Sequence, residues 1–248
     1  MVYLPGLISS FTGVIVSAGF VLYELGNYAT PQVPETLFDE RKAAFAYIAG
    51  LFIGVALAIP FVLLILGLTN GALIGALASL FILVAATELA QWLLLRTVYF
   101  GTGRSSPFYA LAFRSGVAGI LILALASQVL AGGILTVTSI ALLAAQITAI
   151  LAVEVSGSLL SLPAAAGSGR TGGGPLPGAL VGALGFFLLA FGSFLGGGVG
   201  VLSALVATLG GVVVYRRLRQ PILSRTRPPA APPGVSERPA TPFGRTDR

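Results

Sequence analysis

The sequence predicts an all-α integral membrane protein with about seven transmembrane helices, its N-terminus outside and its C-terminus in the cytoplasm. Of the 248 residues, 56% are hydrophobic and only 9% are charged, and long apolar runs recur along the chain. A soluble domain carries about a quarter charged residues, because its surface faces water. A surface with so few charges must instead face lipid.

Seven apolar segments are long enough, or nearly so, to cross a hydrocarbon layer of about 30 Å. The last two are short and glycine-rich, and residues 196–198 join them, so a tight hairpin or a re-entrant element is an alternative to two full crossings. Together the segments predict a transmembrane domain over residues 1–217. The predicted spans are residues 5–25, 43–68, 71–96, 107–131, 134–155, 177–195 and 197–216.

The charges of the loops predict the direction of the chain. Lys and Arg collect in short cytoplasmic loops. With seven spans, thirteen of the fourteen basic residues fall on the side of the C-terminus, none falls in the loops of the other side, and Arg114 lies within a span. We therefore expect a multi-pass protein of the plasma membrane that contacts membrane lipids and has a cytoplasmic C-terminus.

Two stretches are expected outside the membrane. Residues 163–177 are rich in glycine and predict a flexible cytoplasmic linker, and residues 218–248 are rich in proline and arginine and predict a disordered cytoplasmic tail. Arg216, Arg217 and Arg219 precede or begin this tail and are expected to anchor the last span at the lipid headgroups.

The residue inventory excludes several classes of function. The chain has no histidine and no cysteine, and its single methionine is Met1. Zinc sites, iron–sulfur clusters, His-ligated haem and Ser-His or Cys-His nucleophiles therefore lack their ligands or bases. No catalytic residue, metal site or cofactor is predicted. The basic residues flank apolar spans, which indicates membrane topology and not nucleic-acid binding.

Two charged residues lie inside predicted spans, where each costs about 2.5–3.5 kcal/mol at the membrane centre and needs a partner. Glu88 lies eight residues before Arg96, and Arg114 lies seven residues after Pro107. Both are therefore about 10–12 Å below the cytoplasmic boundary. Because spans joined by a short loop are usually neighbours, the sequence predicts a buried Glu88–Arg114 ion pair.

Gln91 and Arg96 follow Glu88 at helical spacing, about one and two turns further along the third span. With Glu88 and Arg114 they form a candidate polar pocket for a quinone headgroup, an anion or a proton. The favoured interpretation is a structural ion pair that sets the register of two helices. On that interpretation, Glu88→Ala alone should destabilise the protein more than Glu88→Ala combined with Arg114→Ala.

Other polar and small residues carry weaker predictions. Glu24 and Glu154 fall near the cytoplasmic ends of spans one and five. One interpretation adds them to the same polar pocket, and the favoured one places both carboxylates at the headgroup level, where they can reach water. Glycines at four-residue spacing are expected to let helix backbones approach closely. These pairs are Gly50/Gly54, Gly71/Gly75, Gly178/Gly182, Gly192/Gly196 and Gly196/Gly200.

One short stretch resembles a known family. Residues 81–100, with Glu88 and Arg96 followed by Tyr99 and Phe100, resemble the final span of haem-free membrane anchors of molybdoenzymes, such as the dimethyl sulfoxide reductase anchor subunit. The resemblance implies electron transfer from quinol to an attached iron–sulfur subunit. The chain departs from the family because four predicted spans follow this stretch, where the family's anchors end. The resemblance is therefore local and does not assign the chain to the family.

The sequence favours a non-enzymatic accessory or partner-binding component of a membrane, with a membrane or cytoplasmic protein as its partner. One alternative is a small-solute or ion transporter or channel with its polar site at Glu88 and Arg114, which predicts a water-accessible cavity there. A second alternative is a haem-free, quinone-interacting anchor subunit of a redox complex. The oligomeric state is left open.

Overall fold

The computed structural model describes residues 4–26, 38–97, 100, 106–131, 136–162 and 175–223. Within these ranges the chain is all-helical, which confirms the all-α character of the predicted fold. Residues 163–174 of the predicted linker and residues 224–248 of the predicted tail lie outside them. The described helices are α1 (Leu4–Gly26), α2 (Glu40–Thr69), α3 (Leu73–Arg96), α4 (Ser106–Ala131), α5 (Val137–Leu160), α6 (Pro175–Leu195) and α7 (Gly197–Leu223).

Six of these helices, α2 to α7, are long and apolar enough to cross a membrane. Helix α1 has 23 residues and is also predominantly apolar. Large apolar side chains such as Phe52, Ile74 and Leu202 are exposed on the outside of the helices. An exposed apolar surface of this kind is what a lipid environment requires, so the chain is a membrane-embedded helical protein.

Several helices extend beyond the limits of the predicted spans. Helix α5 continues to Leu160, beyond the predicted end at residue 155, and α7 continues to Leu223, inside the predicted tail. Helix α6 begins at Pro175, inside the predicted linker. Proline is well suited to the first helical position, because its missing N–H would have no partner there.

Contacts between helices show that neighbours in the sequence run in opposite directions. Gln146 meets Ser193, and Val153 lies against Gly185 further back along α6, so α5 and α6 are antiparallel. The order of contacts along each pair gives the other directions in the same way. Helix α1 is antiparallel to α4, and α3 is antiparallel to α6. Helix α2 is parallel to α4, and α5 is parallel to α7. A turn at residues 70–72 reverses the chain between α2 and α3.

This alternation collects charge at one end of the bundle, which we name the basic end. It contains the starts of α2, α4 and α6 and the ends of α1, α3, α5 and α7. Apart from Arg114, every basic residue in the described part of the chain lies there. These residues are Arg41, Lys42, Arg96, Arg216, Arg217 and Arg219.

Helix α4 is the centre of the bundle. It packs against α1, α2 and α5. Over its most apolar 18 residues, 83% are buried inside the protein, against 22–44% for the same length of the other five candidate spans. A charged residue on α4 is therefore surrounded by protein and not by lipid.

Close backbone contacts hold α4 against α1 and α2. A Cβ atom on Gly50 would collide with the carbonyl oxygen of Phe113, and one on Gly116 would collide with the carbonyl oxygen of Tyr47. Gly13 and Gly119 allow a similar approach between α1 and α4. Small residues are known to permit such packing in membranes, where helices gain little hydrophobic energy from association.

The predicted glycine pairs have mixed outcomes. Gly50, Gly54, Gly178, Gly192 and Gly200 lie against neighbouring helices. Gly71 and Gly75 face open space, so the prediction of a close contact is wrong for that pair. Gly196 has φ +62° and Gly197 has φ +52°, a left-handed backbone that makes the sharp turn between α6 and α7.

Candidate functional site

Arg114 lies on α4 eight residues after its start at Ser106, about 12 Å from the basic end at 1.5 Å per residue. Its Nη2 donates to Oε1 of Glu88 on α3 at 2.5 Å, and its Nη1 donates to Oε2 of Glu154 on α5 at 2.9 Å. Its Nε donates to Oε1 of Gln91 at 2.5 Å. All three guanidinium nitrogens are thus engaged, and they join α3, α4 and α5. We name these four residues the Arg114 cluster.

Gln91 connects the guanidinium to the end of α5. Its Nε2 donates to the carbonyl oxygen of Ser158 at 3.1 Å. Because α5 ends at Leu160, this carbonyl is among the last four of the helix, which lack partners within the helix. The Gln91 amide therefore supplies a donor to an otherwise unpaired carbonyl while its oxygen accepts from Arg114.

The start of α6 completes the surroundings of Glu88. A Cβ atom on Gly178 would lie 3.0 Å from Oε1 of Glu88 and 3.0 Å from the carbonyl oxygen of Gly157, and it would collide with Oγ of Ser161. Only glycine leaves room for this approach. The first turn of a helix carries a partial positive charge, which favours a carboxylate beside it.

The Arg114 cluster is closed to water and has more negative than positive groups. The exposed fraction is 6% for Glu88, 3% for Arg114 and 1% for Glu154. One guanidinium faces two carboxyl groups, so the formal charge is −1 when both are ionised. The second oxygens, Oε2 of Glu88 and Oε1 of Glu154, are buried without a hydrogen-bond partner. Buried polar atoms usually have one, so these two oxygens mark the unusual part of the site.

Of the four residues predicted as a polar pocket, the structure brings together Glu88, Gln91 and Arg114. Arg96 does not join them. Its side chain is exposed, and its Cζ lies 3.9 Å from the centre of the Trp92 ring. A cation over an indole face is a favourable contact at a membrane surface and keeps the charge near water.

The expectation for Glu154 is wrong. The predicted fifth span ended at residue 155 and placed Glu154 at the headgroups, whereas α5 runs to Leu160 and carries Glu154 more than one turn deeper. There its carboxylate meets Arg114. Glu24 is also buried, at 5% exposure, so the expected contact with water is wrong for this residue too.

At the basic end, a helix cap and aromatic contacts hold the start of α2 in place. Oδ1 of Asp39 accepts from the backbone N–H groups of Arg41 at 2.9 Å and Lys42 at 3.4 Å, which caps the helix. Phe38 packs edge-on against Phe108, and its ring lies 6.4 Å from that of Tyr109. These contacts fix the starts of α2 and α4 beside each other.

Arg216 and Arg217, predicted as anchors of the last span, are exposed on α7, and the helix backbone continues through Arg219. Among the residues that the structure describes, no group of three or more acidic side chains is placed to hold a metal ion.

Comparisons with known proteins identify no relative of this chain. No protein-family model, no functionally described protein and no solved structure matches the chain. The likeness of residues 81–100 to molybdoenzyme anchors thus stays a local resemblance, and the function has to be inferred from the site itself.

Proposed function

We propose that the chain is a non-enzymatic component of the cell membrane that binds a protein partner through its basic end. The observation that supports this most directly is the distribution of charge. Inside the bundle, Arg114 is bound by two carboxylates and an amide. At the basic end, by contrast, Arg41, Arg96, Arg216 and Arg217 are exposed. An acidic segment of a partner is the chemistry that such a surface recognises.

The proposed orientation has seven crossings, the N-terminus outside and the basic end in the cytoplasm. The alternating helix directions and the single basic end support it, because positive loops stay on the cytoplasmic side. The full turn between α6 and α7, two antiparallel helices of 21 and 27 residues, supports two crossings over a re-entrant element.

Single cysteines test the orientation cleanly, because the native chain has none. Asn70→Cys lies at the turn between α2 and α3, and Arg217→Cys lies at the basic end. In intact cells a membrane-impermeant maleimide should label Asn70→Cys, and it should label Arg217→Cys only after permeabilisation. Labelling of Arg217→Cys in intact cells would contradict the orientation.

A photo-crosslinking residue tests the partner. Placed at Arg217, it should capture a defined protein in native membranes, and the same residue at Asn70 is the matched control at the opposite end. Capture at Arg217 should fall several-fold when Arg41, Arg96 and Arg216 are changed to Gln. Equal capture from positions 217 and 70, or capture at position 217 that is unchanged when these arginines are replaced, would contradict the proposal.

A second candidate function is ion or small-solute transport through the Arg114 cluster. The two unpartnered carboxylate oxygens favour it, because intramembrane carboxylates commonly mark ion pathways. The burial of the cluster counts against the water-accessible cavity expected of a transporter at this site, since Glu88, Arg114 and Glu154 are 6% exposed or less. Transport therefore requires a second conformation that opens the cluster to water. In liposomes, Glu88→Gln and Glu154→Gln should abolish ion flux while Glu24→Gln leaves it unchanged. Flux that is the same in all three variants would remove this candidate.

A further inference from the structure

We infer that the Arg114 cluster binds one small cation of unit charge, H⁺ or Na⁺, at the unpartnered oxygen of Glu88 or of Glu154. This goes beyond the proposed function and holds whether or not the cation ever crosses the membrane. Two independent observations support it, the excess of one negative charge and the two buried oxygens that lack a partner.

The first observation is that the Arg114 cluster has one carboxylate more than it has cations. Arg114 neutralises one of the two carboxylates, and the second has no cation of its own. An ionised carboxylate without a counter-charge is very costly in a dry interior, far more so than a missing hydrogen bond. Its two helix-end neighbours do not correct the balance. The end of α5 and the start of α6 carry partial charges of about −0.5 and +0.5, which cancel.

Among the residues that the structure describes, no other side chain on the helices around the cluster supplies the missing charge. The helices packed around the cluster are α3, α4, α5 and α6, and α6 has no ionisable residue. The remaining ionisable groups on the other three, within their described lengths, are Arg96 and Tyr109. Arg96 is exposed against Trp92, eight residues or about 12 Å along α3 from Glu88. Tyr109 lies beside the start of α2, where its hydroxyl accepts from the backbone N–H of Asp39 at 3.3 Å.

Helix α2, which also packs on α4, carries Glu40, Arg41, Lys42 and Tyr47. The first three lie at its capped start, at the basic end, with Arg41 exposed. Tyr47 shares a hydrogen bond of 2.8 Å with Ser17 of α1, which places it on the other side of α4. None of these groups neutralises the second carboxylate.

The size of the deficit indicates the class of ligand. A divalent cation would leave the cluster with a charge of +1, whereas a monovalent cation makes it neutral. Hard oxygen ligands suit a proton or an alkali-metal ion and not a soft metal. The unpartnered atoms, Oε2 of Glu88 and Oε1 of Glu154, are both hard carboxylate oxygens.

Sodium is tested by the stability of the purified protein. The temperature of unfolding is measured as sodium replaces choline at fixed pH and ionic strength. A ligand that binds only the folded state raises the folding equilibrium constant about tenfold for each tenfold increase of ligand above its dissociation constant. If sodium is the ligand, the melting temperature rises with its concentration in the native protein and stays flat in Glu88→Gln and in Glu154→Gln. Either substitution leaves Arg114 with one carboxylate, which needs no further cation.

The proton is tested by infrared spectroscopy of the same samples at neutral pH. A proton on the cluster gives the carbonyl stretch of a protonated carboxyl group, and this band shifts in D₂O. It should vanish in Glu88→Gln and in Glu154→Gln. It should persist in Glu24→Gln, the matched control, because Glu24 is a buried carboxyl residue that does not bond to Arg114. If a Gln variant does not fold, Glu88→Asp and Glu154→Asp keep the charge and should shift the band.

Stabilisation by sodium that requires both carboxylates, or a protonated-carboxyl band that requires both, supports the inference and identifies the cation. The inference is overturned if the native protein shows neither signal, or if the signal survives in both variants or is removed by Glu24→Gln alone. Failure to capture a protein partner would leave these results untouched.

Discussion

The two sides of α4 are held by opposite means. On the side of α1 and α2, glycines bring backbones together, as at Gly50 and Gly116, and no charge is present in the contact. On the side of α3 and α5, Arg114 holds two carboxylates and an amide. We therefore expect the first side to lose stability when atoms are added, and the second when atoms are removed.

Removal of the guanidinium should be the most damaging single change. Arg114→Met strands two buried carboxyl groups, and we expect a loss of about 3–5 kcal/mol of stability, the range measured when one partner of a buried pair is removed. Unfolding can be followed by the fluorescence of Trp92, the single tryptophan, one residue from Gln91. Arg216→Met is the control on an exposed arginine and should stay within about 0.5 kcal/mol of the native protein.

The structure reverses the expectation for Glu88. Glu88→Ala leaves Arg114 paired with Glu154, a balanced pair, and should cost about 1–3 kcal/mol, mainly for lost hydrogen bonding. Glu88→Ala with Arg114→Ala leaves Glu154 buried alone and should cost about 3–5 kcal/mol. The same unfolding assay decides between them. A double variant more stable than the single one would show that Glu154 does not share the guanidinium.

On the glycine side, Gly50→Ala should cost about 1–3 kcal/mol, because its new Cβ meets the carbonyl of Phe113 on rigid backbone. Gly75→Ala is the matched control on α3, since its Cβ would meet open space. The difference in melting temperature between these two variants measures the packing cost alone. Equal stability of the two would contradict the close approach of α2 to α4.

The smallest effect is expected where one neutral hydrogen bond joins two helices. Gln146 donates to Ser193 at 2.6 Å between α5 and α6. Interhelical bonds of this kind average about 0.6 kcal/mol in membranes, so Gln146→Leu should cost about that much. Gln91→Leu, which also unpairs Nε of Arg114 and the carbonyl of Ser158, should cost more, about 1–3 kcal/mol. A larger loss of stability in Gln146→Leu than in Gln91→Leu would contradict the stronger contribution expected from the hydrogen bonds of the Arg114 cluster.

Much of the charged side could be anticipated because the depth of a residue in a span follows from counting. Glu88 and Arg114 lie eight residues from Arg96 and from Ser106, and helices joined by a short connection are usually neighbours. Glu154 was expected at the headgroups rather than in the pocket because Ser156, Gly157 and Ser158 weaken the hydrophobic signal at the end of α5. Their hydroxyls bond to carbonyls within the helix, at Val153 for Ser156 and Val155 for Ser158, so the helix continues past them.

The glycine side was harder to predict. Spacing within one helix does not say which helix lies opposite, so Gly50/Gly54 and Gly71/Gly75 have the same pattern and opposite outcomes. Gly116 and Gly119 on α4 are three residues apart and escaped a search at spacing of four. The contact depends on the partner's backbone, which only the three-dimensional arrangement defines.

The guanidinium of Arg114 binds two buried carboxylates, those of Glu88 and Glu154. The most direct test of this arrangement compares the unfolding of Arg114→Met with that of a triple variant that adds Glu88→Leu and Glu154→Leu. Replacing a whole buried charge network by apolar residues is often neutral or stabilising, whereas removing one member is costly. The triple variant should therefore recover most of the stability lost in Arg114→Met. A triple variant as unstable as Arg114→Met, or less stable, would contradict this arrangement.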